Sequence, residues 1–179
     1  TLTNGPTWTT LGKFGGALQF DGTNDFVIIN DSNSLDLTTG MTSEAWVYPT
    51  ASQSGWRTII QKQTDAYFMH ASSNGALRPA GGGIFNGGVD YISASSAIPV
   101  NNWTHVALTY DGSNIRLYVN GVQVSSKART GTIQVNSNPV RIGGNSYAGE
   151  FFNGRIDELR IYNMALNQTE IQSDMNLAV

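Results

Sequence analysis

Apolar and polar residues alternate with a period of two along most of this chain, in short runs rich in β-branched and aromatic side chains. Gly, Asn, Asp and Ser punctuate them at close intervals, the pattern of an all-β sandwich or barrel. The clearest predicted strands are Ala17–Phe20, Phe26–Asn30, Met41–Tyr48, Thr58–Lys62, Ala66–Ala71, Val89–Ser93, Thr104–Asp111, Ile115–Asn120, Val122–Ser125, Val140–Gly143 and Arg155–Tyr162. No internal repeat or low-complexity linker separates them, so the reading is one domain over 1–179.

Two turns carry their own mechanism. Asp111-Gly112 and Asn120-Gly121 tolerate positive φ and predict hairpins, which makes Thr104–Ser125 a three-stranded meander. Side chains alternate between faces along a strand, which puts Val106, Leu108 and Tyr110, with Ile115, Leu117 and Val119, on the core face. His105, Arg116 and Tyr118 face away. In the third run, Met41, Ala45 and Val47 face the core; Glu44, Trp46 and Tyr48 lie opposite. One short helix is expected near the end. Asn167-Gln168-Thr169-Glu170 reads as a capping box before Ile171 and Met175, and the helix is expected to seal one end of the sandwich.

Composition narrows the partners. Charged residues are 13% of the 179 and the net charge is -3, which argues against a nucleic-acid or anionic-membrane surface. The polarity comes from Ser, Thr, Asn and Gln, a surface suited to neutral partners such as sugars. No cysteine is present, excluding disulfides, thiol catalysis and Cys-ligated zinc. No apolar run approaches the roughly 20 residues that span a bilayer. The chain opens on Thr1-Leu2-Thr3 without a signal pattern and reads as a fragment of a larger protein, secreted or displayed at the cell surface.

Three blocks resemble one family. Trp103-Thr104-His105-Val106-Ala107-Leu108-Thr109-Tyr110-Asp111-Gly112, with Ile115-Arg116-Leu117-Tyr118-Val119-Asn120-Gly121 after it, is similar to the laminin-G-like and pentraxin-like jelly rolls of the concanavalin A-like superfamily. Gly16–Val27 resembles that family's opening strand and loop, and Gly154–Leu166 its closing strand. The resemblance implies an antiparallel two-sheet jelly roll, one sheet concave and one convex, and frequent calcium. Members usually carry a further strand before the equivalent of Thr1, pairing near the closing strand. Its absence here predicts an open edge that another segment must cover. Such a fold hosts lectins, carbohydrate-binding modules, adhesion domains and glycanases alike.

Candidate chemistry comes in three groups. Asp157 shares the parity of Leu159 and Ile161, so its carboxylate is expected on the core side, where an unpaired charge costs several kcal/mol. With Asp21, Asn24 and Asp25 in a glycine-containing loop it forms a candidate set of oxygen ligands for structural Ca²⁺, which takes ~6–8 of them. The competing reading has Asp21 and Asp25 capping turns while Asp157 pairs with an arginine. The second group is a sugar-binding surface of loop aromatics and polar neighbours: Trp56, Arg57, Tyr91, Asn145, Tyr147 and Phe151, with Trp8 and Phe152 as further loop rings. Gly81-Gly82-Gly83 and Gly87-Gly88 around Phe85 could let a ligand approach the backbone. Third, Trp46 and Glu44 face away from the core, either lining a groove with His105 and Tyr118 or buried beneath a loop or helix.

Catalytic signatures are thin. Jelly-roll glycanases need two carboxylates flanking the scissile bond, ~5–5.5 Å apart for retention, and no strand here alternates them. Asp157 and Glu158 are adjacent, Glu44 is alone on its strand, and the two histidines make no zinc motif. His105 with Tyr118 is the one pair that could serve a lyase. The expectation is a non-catalytic carbohydrate-binding module for a polysaccharide or glycan, stabilised by calcium. Its rivals are an adhesion domain that contacts neighbouring domains and, behind both, a glycan hydrolase or lyase.

Overall fold

The computed structural model describes residues 1–73 and 77–179 and is a two-layer antiparallel sandwich. Sheet I has the order β1 (Leu2–Thr3), β4 (Phe26–Ile29), β13 (Val140–Ile142), β6 (Arg57–Lys62), β7 (Tyr67–Ser72), β8 (Ala80–Phe85), β9 (Gly88–Ser93). Sheet II has the order β12 (Val122–Ala128), β11 (Asn114–Val119), β10 (Thr104–Tyr110), β5 (Met41–Pro49), β14 (Asn153–Tyr162), β3 (Ala17–Asp21), β2 (Thr7–Thr9). One helix, α1 (Gln168–Asp174), follows the last strand.

Period-two alternation builds the core as expected. Met41, Ala45 and Val47 of β5 and Val106, Leu108 and Tyr110 of β10 are all 1% exposed or less. They meet Ile59, Ile60, Tyr67, Met69, Phe85 and Val140 from sheet I. Asn120 and Gly121 both take positive φ, 50° and 72°, which closes the β11–β12 hairpin in two residues. At one end of the core, buried Lys62 pairs with Asp31 and, at 3.4 Å, with Asp36. These ion pairs tie down the 3-10 turn Asn33–Leu35, whose last carbonyl also accepts the Tyr67 hydroxyl at 3.2 Å.

Four expectations change. First, β14 carries a bulge. Asp157 opposes Trp46 while Arg160 opposes Glu44, so three residues advance against two, with Glu158 at φ 51°. The bulge reverses parity. Leu159 and Ile161 pack toward the core, whereas Asp157 lies on the outer face beside Trp46. The extra residue cannot be read from composition, and alternation fails at that point.

Second, the glycine run is a strand. β8 sits between β7 and β9, with Gly82 paired to both Phe68 and Tyr91. A Cβ on Gly82 would lie 2.1 Å from the Asp90 carbonyl and one on Gly81 would lie 2.7 Å from Leu108. Close strand and sheet packing therefore demands these glycines, against their poor intrinsic strand preference. Phe85 beside them is core, its ring 4.7 Å from Tyr110.

Third, the helix caps a face rather than an end. The capping box forms, with the Asn167 side chain accepting from Thr169 and Glu170 N–H and Glu170 reaching back to Asn167 N–H. Ile171 and Leu166 then pack on Ala107 and Tyr118, on the outer face of sheet II. Fourth, the open edge falls at β2, two strands away from the closing strand. β14 is flanked by β5 on one side and β3 on the other, and the N-terminal β2 extends the sheet beyond β3.

Candidate functional site

The C-terminal segment covers the centre of the outer face of sheet II. Trp46 is buried and donates Nε1–H to the Met175 carbonyl at 3.0 Å. Arg160 donates to Glu44 at 3.3 Å, Glu158 at 2.8 Å and the Asp174 carbonyl at 2.7 Å. His105 and Tyr118 are 0% and 3% exposed beneath this C-terminal cover, so the pair read as a lyase base cannot reach a substrate there. His105 Nε2 lies 3.7 Å from Glu44. Burial holds the imidazole down at about 4 and pushes the Glu44 carboxyl up to about 7, with Arg160 opposing the latter.

The four residues predicted as calcium ligands do not converge. Asp21 opposes Asn153 across the β3–β14 ladder. Asp157 lies four residues further along β14, roughly 13 Å at ~3.3 Å per residue, whereas ligands of one Ca²⁺ lie ~2.3–2.6 Å from it. The Asp157 carboxylate is satisfied by backbone donors instead. It accepts the backbone N–H of Lys13 at 2.8 Å, Phe14 at 3.0 Å and Glu158 at 2.9 Å. Asp21 closes a turn by accepting Thr23 and Asn24 N–H, and the Thr23 bond leads in holding its pKa below the ordinary carboxylate value. Asp25 accepts Asp21 N–H at 3.0 Å, and burial raises its pKa. Asn24 gives its carbonyl to the Asn4 amide. Among the described residues no group of three or more His, Asp or Glu is arranged to hold a metal. The residues present therefore do not fit a single calcium site of the expected composition.

Sheet I keeps an open outer face, and here the structure assembles an aromatic corner. Phe68 and His70 alternate on β7, pointing away from Tyr67 and Met69, which belong to the core. Gly82 lies between Phe68 and Tyr91 in the ladder. With no side chain there, the two rings approach to 6.5 Å across it. Trp56, just before β6, stands nearly perpendicular to both. Its ring lies 6.3 Å from Phe68 at 83° and 5.3 Å from Tyr91 at 85°. His70 stacks on Phe68 at 4.9 Å. These rings and Val89 line a depression of about 180 Å³, with Asp65 and Glu150 on its rim.

A polar shelf adjoins it. Gln61, Thr64, Asp65, Asn145, Tyr147 and Glu150 bound a second hollow of about 280 Å³. Asp65 and Glu150 belong to both hollows, so the two form one groove. Its polar wall is internally braced: Asn145 donates to Gln61, Gln61 donates to Asp65, and the Asn145 carbonyl accepts Gly149 and Glu150 N–H. Burial, and secondarily Asp65, raises the Glu150 carboxyl. His70 is 3% exposed, neither ring nitrogen has a hydrogen-bond partner, and burial pulls it down to about 3. The neutral imidazole thus stands in the wall of the depression with a donor and an acceptor both buried and unpaired, Nε2 lying 3.8 Å from Glu150 Oε2.

Four residues predicted from sequence for a sugar surface, Trp56, Tyr91, Asn145 and Tyr147, thus line one groove. Arg57 does not line it. Its Nη1 donates to the Gly149 carbonyl at 3.4 Å and steadies the loop bearing Glu150. Phe151 turns away and packs 6.4 Å from Phe26, while Phe152 is fully buried. Phe68, His70, Asp65 and Glu150 escaped the sequence reading. The first two sit in a run that looks like continuous core. Only the 61–68 register and the return of the 144–152 loop bring the carboxylates beside them.

Known proteins share this architecture. The binding domain of Paraclostridial Mosquitocidal Protein 1 superposes with a TM-score of 0.79 at 18% identity, covering 98% of this chain and 46% of that one. Domain 4 of an extracellular GH43 arabinanase from Geobacillus stearothermophilus, solved with arabinotriose, gives 0.72 at 22% identity, covering 96% and 81%. A structure named "putative carbohydrate binding protein" from Bacteroides ovatus gives 0.75 at 20% identity, covering 91% and 47%. At these identities the likeness is one of fold. In sequence, Pappalysin-1 of Mus musculus is 35% identical over 91 residues, 49% of this chain and only 6% of that protein's length. The model of a laminin-G family within the concanavalin A-like lectin/glucanases superfamily matches residues 21–172, and with 7+7 antiparallel strands in the matching sandwich this chain belongs to that superfamily.

Proposed function

We propose that the chain is a non-catalytic glycan-binding module and that its ligand lies along the open groove of sheet I. One observation carries the reading: the Trp56 ring stands nearly perpendicular to Phe68 and Tyr91 beside a buried His70 without a hydrogen-bond partner, next to a braced polar shelf. Ring faces pack on the apolar face of a sugar, and the rim carboxylates answer its hydroxyls, the mixed lining common in small-ligand sites. Arabinotriose in the arabinanase domain and the carbohydrate-binding name of the Bacteroides protein support this direction. We place the module in a secreted or surface protein. No helix of the described residues is long and apolar enough to cross a membrane.

Affinity electrophoresis against a polysaccharide panel tests the reading. Retardation by at least one glycan, lost in Trp56→Ala and Tyr91→Ala with unchanged melting temperature, is the expected result. No retardation of the wild type by any glycan counts against it. Release of reducing ends or unsaturated products would replace binding with catalysis.

A second reading, adhesion to a protein partner, rests on a different place. β2 is the edge strand of sheet II, and Trp8 upon it is 71% exposed, with Leu11 beside it at 58%. An exposed edge and a large ring suit strand addition by a neighbouring domain. Trp8→Ala abolishing association with flanking domains, and leaving glycan retardation intact, would establish it.

A further inference from the structure

The groove is acidic as well as aromatic. Asp65 and Glu150 stand on its rim, and neither forms an ion pair with a lysine or arginine among the described residues. The charged neighbours of Glu150 are few. Asp65 faces it from the β6–β7 turn, and Arg57 from β6, with Nη1 engaged by the Gly149 carbonyl. His70 from β7 lies 3.8 Å from Oε2, and Thr58 donates its hydroxyl at 3.4 Å. Two carboxylates thus answer to one guanidinium that is turned toward a loop carbonyl. Beside them Trp56, Phe68 and Tyr91 present ring surface whose π faces attract a cation.

Resting on the glycan reading above, we propose that the groove selects a sugar bearing a free amine, its ammonium group seated between the Asp65–Glu150 rim and the Trp56–Tyr91 corner. The second, independent observation is His70, 3% exposed and without a partner for either nitrogen. It marks the floor as built for a ligand's hydrogen-bonding group, since a buried polar group left unpaired is costly. An ammonium suits the rim because its charge relieves the repulsion between the carboxylates, and a uronate or sulfate would add to it. An N-acetylated amine loses both the charge and the cation–π attraction.

Isothermal titration with three β-1,4-linked hexasaccharides near neutral pH separates the possibilities: the free-amine form of glucosamine, its N-acetylated form, and the glucose form. The free-amine hexamer is expected to bind tighter on the order of tenfold, the scale of a partly desolvated cation–π and ion-pair contact. Glu150→Gln and Asp65→Asn should each erase that preference, lowering the free-amine hexamer's affinity by a larger factor than the glucose hexamer's. Both substitutions keep the side-chain shape, and circular dichroism checks the fold. Equal binding of all three hexamers overturns the amine preference and leaves the glycan reading standing. Amine preference unchanged in both variants and in Trp56→Ala means adsorption of a polycation to an acidic surface, and also overturns it. If neither these hexamers nor the polysaccharide panel binds, the glycan reading fails as well.

Discussion

Glu44 offers the sharpest physical test of this fold. It is 0% exposed at the centre of sheet II, with Oε1 accepting Arg160 at 3.3 Å and Oε2 lacking a hydrogen-bond donor. Burial pushes its pKa up to about 7 from an ordinary 4.5, with Arg160 pulling the other way and Asp174 adding to the rise. Between those two values the folded chain binds more protons than the unfolded chain, so this group's contribution to stability falls as pH rises. The shift corresponds to about 3 kcal/mol at most, since one pK unit is about 1.4 kcal/mol. The histidines act with opposite sign. Burial holds His105 at about 4 and His70 at about 3, so their contributions are present above the ordinary 6.5 and are lost as pH falls toward those values. A wild-type profile alone mixes all three, and the difference between wild type and Glu44→Gln isolates one. Urea unfolding at a series of pH values should show the variant gaining on the wild type by up to about 3 kcal/mol between about pH 4.5 and about pH 8. A flat difference refutes the argument. A difference running the other way means that Glu44 stands ionised against Arg160 in the folded state.

Other outcomes follow from the same geometry. Asp157→Asn places an N–H₂ where Lys13 and Phe14 donate, and should destabilise by about 1–3 kcal/mol, read by urea midpoint; an unchanged midpoint would show the 10–16 loop to be unimportant. A calcium chelator should leave the melting temperature of the wild type unchanged, whereas a drop reversed by Ca²⁺ and absent in Asp25→Asn would restore an ion to the 21–25 loop. Gly82→Val should damage both stability and glycan retardation, because its Cβ meets the Asp90 carbonyl and Tyr91 backbone; a cost below about 1 kcal/mol, the ordinary scale for a single substitution, would contradict the packing. His70→Phe should keep the fold and weaken ligand binding, and equal affinity would remove the imidazole from the site.

The sequence by itself determined the layers of this protein. Alternation at period two in β5, β10 and β11 dictates which side chains meet in the core, because a strand has only two faces. Asn120-Gly121 dictates a hairpin because those residues tolerate positive φ, and the Asn167–Glu170 box dictates a helix start because it satisfies that helix's first N–H groups. Trp56, Tyr91, Asn145 and Tyr147 were visible as polar-loop aromatics and amides, being short of local apolar cover. Tertiary structure alone decided the rest. One extra residue in β14 sent Asp157 to the opposite face, and local parity cannot register an insertion that only the partner strand reveals. Gly82 reads as flexible in isolation but is required by the two strands pressed against it. Phe68 and His70 alternate as any strand residues do. Whether they face a lid or an open groove depends on where the C-terminal segment settles, and it settles on sheet II, held by hydrogen bonds to Trp46, Arg160 and Glu158.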